Sequence, residues 1–282
     1  MRPILSTPPS PQTNRHTPLR RLATWLIALP LILIGACSPE PETEGTQPLV
    51  VGMELAYPPF ETRDTDGAPL GVSVDIANAL GTALGRPVKI ENMRFDGLIP
   101  ALKTGKIDLI LSSMTATEER RQSIDFSIPY ANTGLCLLVG ADSPIQTPED
   151  LDQPGRTLAV KRGTTGHLFA ERSLEHTKVL VLDKEDAAVL EVIQGKVDAF
   201  IYDQLSVYRH WRRHTDATRA ILQPIQAEAW AIGITKGAEE LKAQVDAFLT
   251  EFRLSGGFEK LIQEYFAEEA QQFQALGYPF LF

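Results

Sequence analysis

From residue 49 onward, short apolar runs alternate with segments whose apolar residues recur at helical spacing. Leu49-Val50-Val51-Gly52-Met53-Glu54 reads as a strand. The two prolines of Ala56-Tyr57-Pro58-Pro59-Phe60 end it and stiffen a loop, and 64–69 reads as a turn. Val72, Ile76, Ala79, Leu80, Ala83 and Leu84 share one helical face, stopped by Gly85 and Pro87. Next come a strand at Val88-Lys89-Ile90, a helix over 96–104 ended by Gly105, and a strand over 107–111.

The last of these steps recurs. Leu98 to Leu111 and Val189 to Ile201 each read as a helix, a glycine stop, Lys, a β-branched residue, Asp, then an apolar strand. The first strand ends in Ser112-Ser113 and the second in Tyr202-Asp203. Two equivalent α/β units predict two lobes, with one continuous sheet as the alternative. Ligands of open α/β sheets bind beyond the strands' C-terminal ends, so facing lobes would make a cleft. Leu158-Ala159-Val160 is a further strand, followed by Lys161-Arg162-Gly163-Thr164-Thr165-Gly166 and a helix from His167. Toward the end, 231–234 reads as a strand, and 241–254 and 258–266 as amphipathic helices.

The amino-terminal stretch follows another pattern. Arg2, Arg15, Arg20 and Arg21 precede an apolar run over 22–34, too short for a confident membrane span and suited to a signal peptide. Ile34-Gly35-Ala36-Cys37 resembles a bacterial lipobox, which implies a leader over 1–36 and lipidation of Cys37; ordinary cleavage nearby is the alternative. Residues 37–47 are acidic and proline-rich and read as a disordered tether. The chain holds two cysteines; with Cys37 acylated, Cys136 has no partner and sits in an apolar strand as a core thiol. Of the 282 residues 43% are hydrophobic and 22% charged, which predicts a packed globular protein. The net charge of −9 with no clustered basic face excludes nucleic acid as a partner.

The candidate chemistry lies where strands end. Ser112-Ser113-Met114-Thr115-Ala116-Thr117-Glu118-Glu119-Arg120 opens from the 107–111 strand: hydroxyls, backbone N–H groups and a guanidinium that together could receive a carboxylate. Gly163-Thr164-Thr165-Gly166 is a second such turn and lacks the pattern of a phosphate loop. No Ser/His/Asp set or metal-ligand cluster stands out, and no cofactor is implied.

Taken together, Gly52 to Phe60, Phe95 to Leu102, Lys106-Ile107-Asp108, Ser112 to Arg120, Ile124 to Tyr130, Gly163 to Gly166 and Asp203 resemble the solute-binding proteins of polar amino acid ABC transporters, family 3. The resemblance implies a two-lobed α/β periplasmic-binding-protein fold of type II, with ligand in the inter-lobe cleft. It places lobe 1 at 48–130 and 232–282, lobe 2 at 135–227, and a hinge near 130–134 and 227–231. It further implies an extracytoplasmic, lipid-anchored monomer that passes a free amino acid to a membrane permease, without enzymatic activity.

By the same resemblance Arg120 grips the ligand's α-carboxylate, with Ser112, Ser113, Thr115, Thr164 and Thr165 adding donors. Asp203, with Tyr202 beside it, pairs with the α-ammonium, and Tyr57 and Phe95 sandwich the aliphatic part. Glu54 and Lys161 stand where glutamine-binding members carry an acid and a lysine, which favours glutamine and puts cationic amino acids second. From the residues alone, Arg120 could lie on a solvated helix face, Asp203 could cap a helix, Tyr57 and Phe95 could be core, and Glu54 could pair with Lys161 away from any ligand. A periplasmic cyclohexadienyl or arogenate dehydratase is the alternative function on the same fold, with Glu54 as general acid.

Overall fold

The structure, a computed structural model, describes residues 47–282. The expected leader, Cys37 and all but the last residue of the expected tether lie outside the described residues.

The first unit contains β1 (Leu49–Met53), a small hairpin of β2 (Thr62–Arg63) and β3 (Pro69–Leu70), α1 (Val72–Leu84), β4 (Val88–Asn92), α2 (Leu98–Lys103), β5 (Leu109–Ile110) and α3 (Glu118–Ser123). A long strand follows, β6 (Asp125–Gly140), and then α4 (Pro148–Leu151). The second unit comprises β7 (Thr157–Lys161), α5 (Thr165–Ser173), β8 (Lys178–Leu182), α6 (Glu185–Ile193), β9 (Ala199–Asp203) and α7 (Gln204–Arg213). A second long strand, β10 (Thr218–Ile234), leads to α8 (Glu239–Leu254), α9 (Gly257–Tyr265) and α10 (Ala267–Ala275).

Eight strands form one hydrogen-bonded ladder in the order β4-β1-β5-β10-β6-β9-β7-β8. In the first unit β1 runs parallel to β4 and β5; in the second β7 runs parallel to β8 and β9. The antiparallel pair β6–β10 joins them: Gly233 and Ile234 pair with β5, and Leu135 to Val139 pair with β9. Both sequence readings are therefore present. Two α/β units recur, and their strands are continuous because the central pair is long enough to serve both. Only the ends of those two strands were legible as strands, at Leu135-Cys136-Leu137-Leu138-Val139 and 231–234; the polar stretches between gave no alternation to read. The expected crossing segments pair with one another inside them, Ala227 with Gly134 and Trp230 with Ala131.

Parallel strands covered on both faces read as unbroken apolar runs. In β1 Leu49, Val51 and Met53 are fully buried, as are Leu158, Ala159 and Val160 in β7. Separate apolar clusters lie under Leu98, Leu102, Ile107 and Phe126 in the first unit and under Leu137, Leu158, Val160 and Ile201 in the second.

The repeated Gly-Lys-x-Asp has a structural cause. Gly105 and Gly195 take left-handed φ of 71° and 65°, ending the helix where other residues would be strained. Asp108 then accepts the Val50 N–H at 2.9 Å while its own N–H donates to the Val50 carbonyl at 2.8 Å. Asp198 does the same with Thr157, at 2.8 Å both ways. Arg86 and Arg156 pair with these carboxylates at 3.2 and 2.7 Å. The expected strand over 107–111 shortens to Leu109–Ile110 because the Asp108 side chain takes the place of a ladder bond. The repeat thus fixes how each helix returns into the sheet, and its aspartates take no part in the cleft. Asp198→Ala leaves the Thr157 N–H without its acceptor and should lower the unfolding free energy by about 1–3 kcal/mol in urea titrations. A loss indistinguishable from zero would show that the repeat does not carry this load.

Candidate functional site

All the strand ends named above open into one cavity. It encloses about 450 Å³ of empty space, its mouth included, and all twelve predicted residues line it: Glu54, Tyr57, Phe95, Ser112, Ser113, Thr115, Arg120, Lys161, Thr164, Thr165, Tyr202 and Asp203. Four more line it that sequence reasoning did not single out: Glu61, Leu135, Glu228 and Trp230. Glu61 follows the buried Phe60, and Glu228 sits among alanines beside Trp230; an acid in such apolar company was the available signal.

The charged side chains are buried, Glu54 partly so, and each has a partner. Lys161, at the end of β7, pairs with Glu54, which follows β1, so the pair spans the two units. Asp203 serves two purposes at once. Its Oδ1 accepts the Ser206 N–H at 3.0 Å and caps α7, while its Oδ2 accepts from the Tyr57 hydroxyl at 2.6 Å. The capping reading and the cavity reading therefore hold together. Burial, and then the nearby Glu185 charge, push the Asp203 carboxyl up to about 6.

Arg120 is the buried residue of the short α3, whose first turn is capped by Thr117. Its Nη1 donates to the Thr115 carbonyl at 2.8 Å and its Nη2 to the Gly163 carbonyl at 3.0 Å, which ties the two units. The guanidinium lies 5.4 Å from the Phe95 ring centroid. Burial lowers its pKa to about 10, against the attraction of Glu228, so it stays a cation at neutral pH. Gly163 has φ of 75°, and a Cβ there would stand 3.1 Å from Cβ of Asp96; this close approach requires glycine.

The hydroxyl turn is held from behind. Ser112 Oγ accepts the Glu54 N–H at 3.0 Å and donates to Glu61 at 3.2 Å, and Ser113 Oγ donates to Glu61 at 3.2 Å. Ser113 is the one non-glycine among the described residues with positive φ, 49°, so these contacts stabilise a strained turn. Ser73 Oγ donates to Glu61 at 2.6 Å. Burial still dominates and raises the Glu61 carboxyl to about 8 despite these hydrogen bonds. Beyond the turn, the Ala116 N–H donates to the Ala229 carbonyl and the Ala231 N–H to the Met114 carbonyl, both at 3.0 Å, stitching this segment to β10. Thr164 caps α5 and donates to the Lys161 carbonyl at 2.7 Å.

The aromatic lining differs from the expected sandwich. Tyr57 stacks on Phe60 at 5.1 Å and meets Tyr202 and Trp230 edge-on, so one of its faces belongs to the core. Phe95 lies under both cations of the cavity, with Lys161 Nζ at 5.8 Å. At the mouth, Arg94 binds Asp183 across the units at 2.9 and 3.0 Å, and Arg172 binds Glu119. These side chains are half exposed and screened by solvent, so the buried contacts between the units outweigh them. Among the described residues, no group of three or more His, Cys, Asp or Glu could hold a metal ion, and no helix is long and apolar enough to cross a membrane.

A two-unit α/β fold with a polar cavity between strand ends is the architecture of a binding protein, and comparison with known proteins agrees. Residues 49–268 match the bacterial extracellular solute-binding proteins, family 3, and the chain belongs to that family. The L-arginine-binding protein of Pseudomonas aeruginosa is 33% identical over 251 residues, spanning 84% of this chain and 96% of the relative. Among solved structures, an ancestral arginine-binding protein bound to glutamine is 32% identical with a TM-score of 0.72, covering 79% of this chain and 99% of that one. An ancestral amino acid-binding protein, a precursor of cyclohexadienyl dehydratase, is 33% identical with a TM-score of 0.71, covering 79% and 96%. These neighbours share the two-lobed fold.

Glu61 and Asp203 have a consequence for stability. Both pKa values are raised on folding, so between each unfolded and folded value the native state holds a proton that the unfolded state has released. Stability must therefore fall as pH rises, through about 4 to 6 for Asp203 and about 4.5 to 8 for Glu61. Urea unfolding from pH 5 to 8 should show this decline, by roughly 1–4 kcal/mol, and Glu61→Gln should flatten its upper part. A decline unchanged in Glu61→Gln would assign the proton elsewhere.

Proposed function

We propose that this protein captures a free polar amino acid in the cavity and delivers it to an ABC transporter permease. The observation that carries the reading is the pair of opposite charges, Arg120 and Asp203, buried in one cavity lined by aromatic rings. A zwitterion needs that arrangement: a fixed cation for its carboxylate and a fixed anion for its ammonium. Arg120 takes the α-carboxylate with the donors of Ser112, Ser113, Thr115, Thr164 and Thr165; Asp203 takes the ammonium; Tyr57, Phe95 and Tyr202 enclose the rest. Residues 48–130 with 232–282 form one lobe and 135–227 the other, and β6 and β10 flex between them, near 130–134 and 227–231, to admit and release the ligand. Cys37 carries the lipid that keeps the protein at the membrane, outside the cytoplasm.

A glutamine-type side chain fits the far end of the cavity. Its carboxamide can accept from Lys161 and donate to Glu54, satisfying both members of a buried pair. A cationic side chain is the second reading. It is favoured by the arginine-binding relative and by the four acids of the lining, Glu54, Glu61, Asp203 and Glu228, against two bases. The dehydratase precursor among the neighbours motivates one control, turnover of prephenate or arogenate, where none is expected.

Calorimetric titration with the twenty amino acids tests the reading. Glutamine should bind most tightly, and Lys161→Met should move preference toward arginine by about tenfold or more. Tighter binding of arginine by the unmodified protein would replace the glutamine reading with the cationic one. Arg120→Ala should weaken every ligand by about a hundredfold, as expected for losing a charge-assisted pair. Retained affinity in that variant would remove Arg120 from the carboxylate.

A further inference from the structure

Glu228 lies in the part of β10 that pairs with β6, opposite Thr133, and is 7% exposed. A carboxylate so deeply buried needs partners. Oε2 accepts from Thr115 Oγ1 at 3.0 Å in the first unit. Thr165 of the second unit lines the same cavity. Gln226, two residues back on the same strand, donates to Oε1 at 3.4 Å. Arg120 acts on it through its charge. Asp203 and Cys136 are the other titratable groups that feel its charge. Thr115, Thr165 and Arg120 are three of the groups assigned above to the ligand's α-carboxylate. The cavity thus contains a carboxylate of its own, engaged with the donors a ligand carboxylate requires. The backbone bonds of Ala116 and Ala231 to β10 and to the hydroxyl turn hold it there.

We propose that Glu228 is an internal competitor for the α-carboxylate receptor. It occupies the Thr115 hydroxyl and offsets the Arg120 charge, and so sets ligand affinity below what the receptor would otherwise reach. The proposal deepens the amino acid reading and rests on it. Like charges in a low-dielectric cavity repel strongly, and every hydroxyl proton given to Glu228 is withheld from the ligand. Burial already raises the Glu228 pKa, against its hydrogen bond with Thr115, so its charge is held at a cost that a second carboxylate would increase. The competitor has a use in a protein that must hand its ligand on. A receptor with an unopposed buried arginine would close tightly and release slowly. A carboxylate on a strand shared by both units instead has hydroxyls ready to take back as the ligand leaves.

The test is Glu228→Gln, which keeps size and an acceptor but removes the charge. Its affinity is measured for the amino acid that the unmodified protein binds best and for that ligand's α-amide, which has no carboxylate. The amino acid should bind about tenfold more tightly than to the unmodified protein. The α-amide should change by less than about threefold. Glu228→Asp, which keeps the charge, should leave the amino acid within about threefold of the unmodified protein. A purely structural Glu228 would give the opposite sign, with both ligands weakened together and a lower melting temperature. Weaker binding of the amino acid to Glu228→Gln, or equal tightening of both ligands, overturns the proposal. Glu228→Met, also uncharged, carries the same expectation if the glutamine variant does not fold. Absence of amino acid binding by the unmodified protein would sink the underlying reading first and is read before any variant.

Discussion

Buried charge must be paired, and that constraint organises the whole interior between the two units. Glu54, Glu61, Arg120, Lys161, Asp203 and Glu228 share one cavity, and none is left to solvent. Each is answered by something different: an opposite charge for Glu54, three serine hydroxyls for Glu61, backbone carbonyls for Arg120, a phenol and a helix cap for Asp203, a threonine hydroxyl and an amide for Glu228. Several of these answers come from the opposite unit. Contact between the units and charge satisfaction are therefore made by the same bonds. A cavity arranged this way is specific because every polar group in it has a defined geometry before a ligand arrives.

The scaffold provides that geometry by repetition. Asp108 and Asp198 lock the helix return in each unit, and Ser112-Ser113 and Tyr202-Asp203, at the same offset from those aspartates, line the same cavity. The long pair β6–β10 then holds the units in one ladder, with register shifts beside Trp230 and between Ile221 and Gln226 where the strands must twist. The hydroxyl turn bonds directly to β10, which ties the turn to the central strands.

Much of this was legible in the chain. Several helices and most parallel strands were marked by apolar spacing and glycine stops, and most of the twelve named cavity residues lie at strand ends or in the turns after them, with Arg120 and Thr165 in the first turns of helices. What the sequence hid was non-local. Asp108 and Asp198 were legible as a repeat, but their partners, the N–H groups of Val50 and Thr157, are about forty to sixty residues away and invisible to local spacing. The length of β6 and β10 was missed because their middles are polar and pair with each other rather than with a core. Glu61 and Glu228 were missed because an isolated acid in an apolar run gives no spacing signal. Only the fold turns them inward.

The Glu54–Lys161 pair carries the remaining argument about selectivity. The two side chains are 13% and 4% exposed and belong to opposite units, so a ligand side chain reaching them must part a buried ion pair. Separating such a pair leaves two uncompensated charges, a loss of about 3–5 kcal/mol if one partner remains unmet. A cationic side chain can satisfy Glu54 and leaves Lys161 facing a like charge; an anionic one does the reverse. A carboxamide presents an acceptor to one and donors to the other, and neither charge is orphaned. Arginine could compete only if Lys161 turned toward another acid, and Glu61, whose charge already acts on Lys161, is the acid placed to receive it. Its raised pKa means that accepting Lys161 would also require giving up a proton. On the proposed reading, choice between an amide and a cation turns on where Lys161 rests, and the ionisation of Glu61, which holds Ser112 and Ser113 from behind, bears on that.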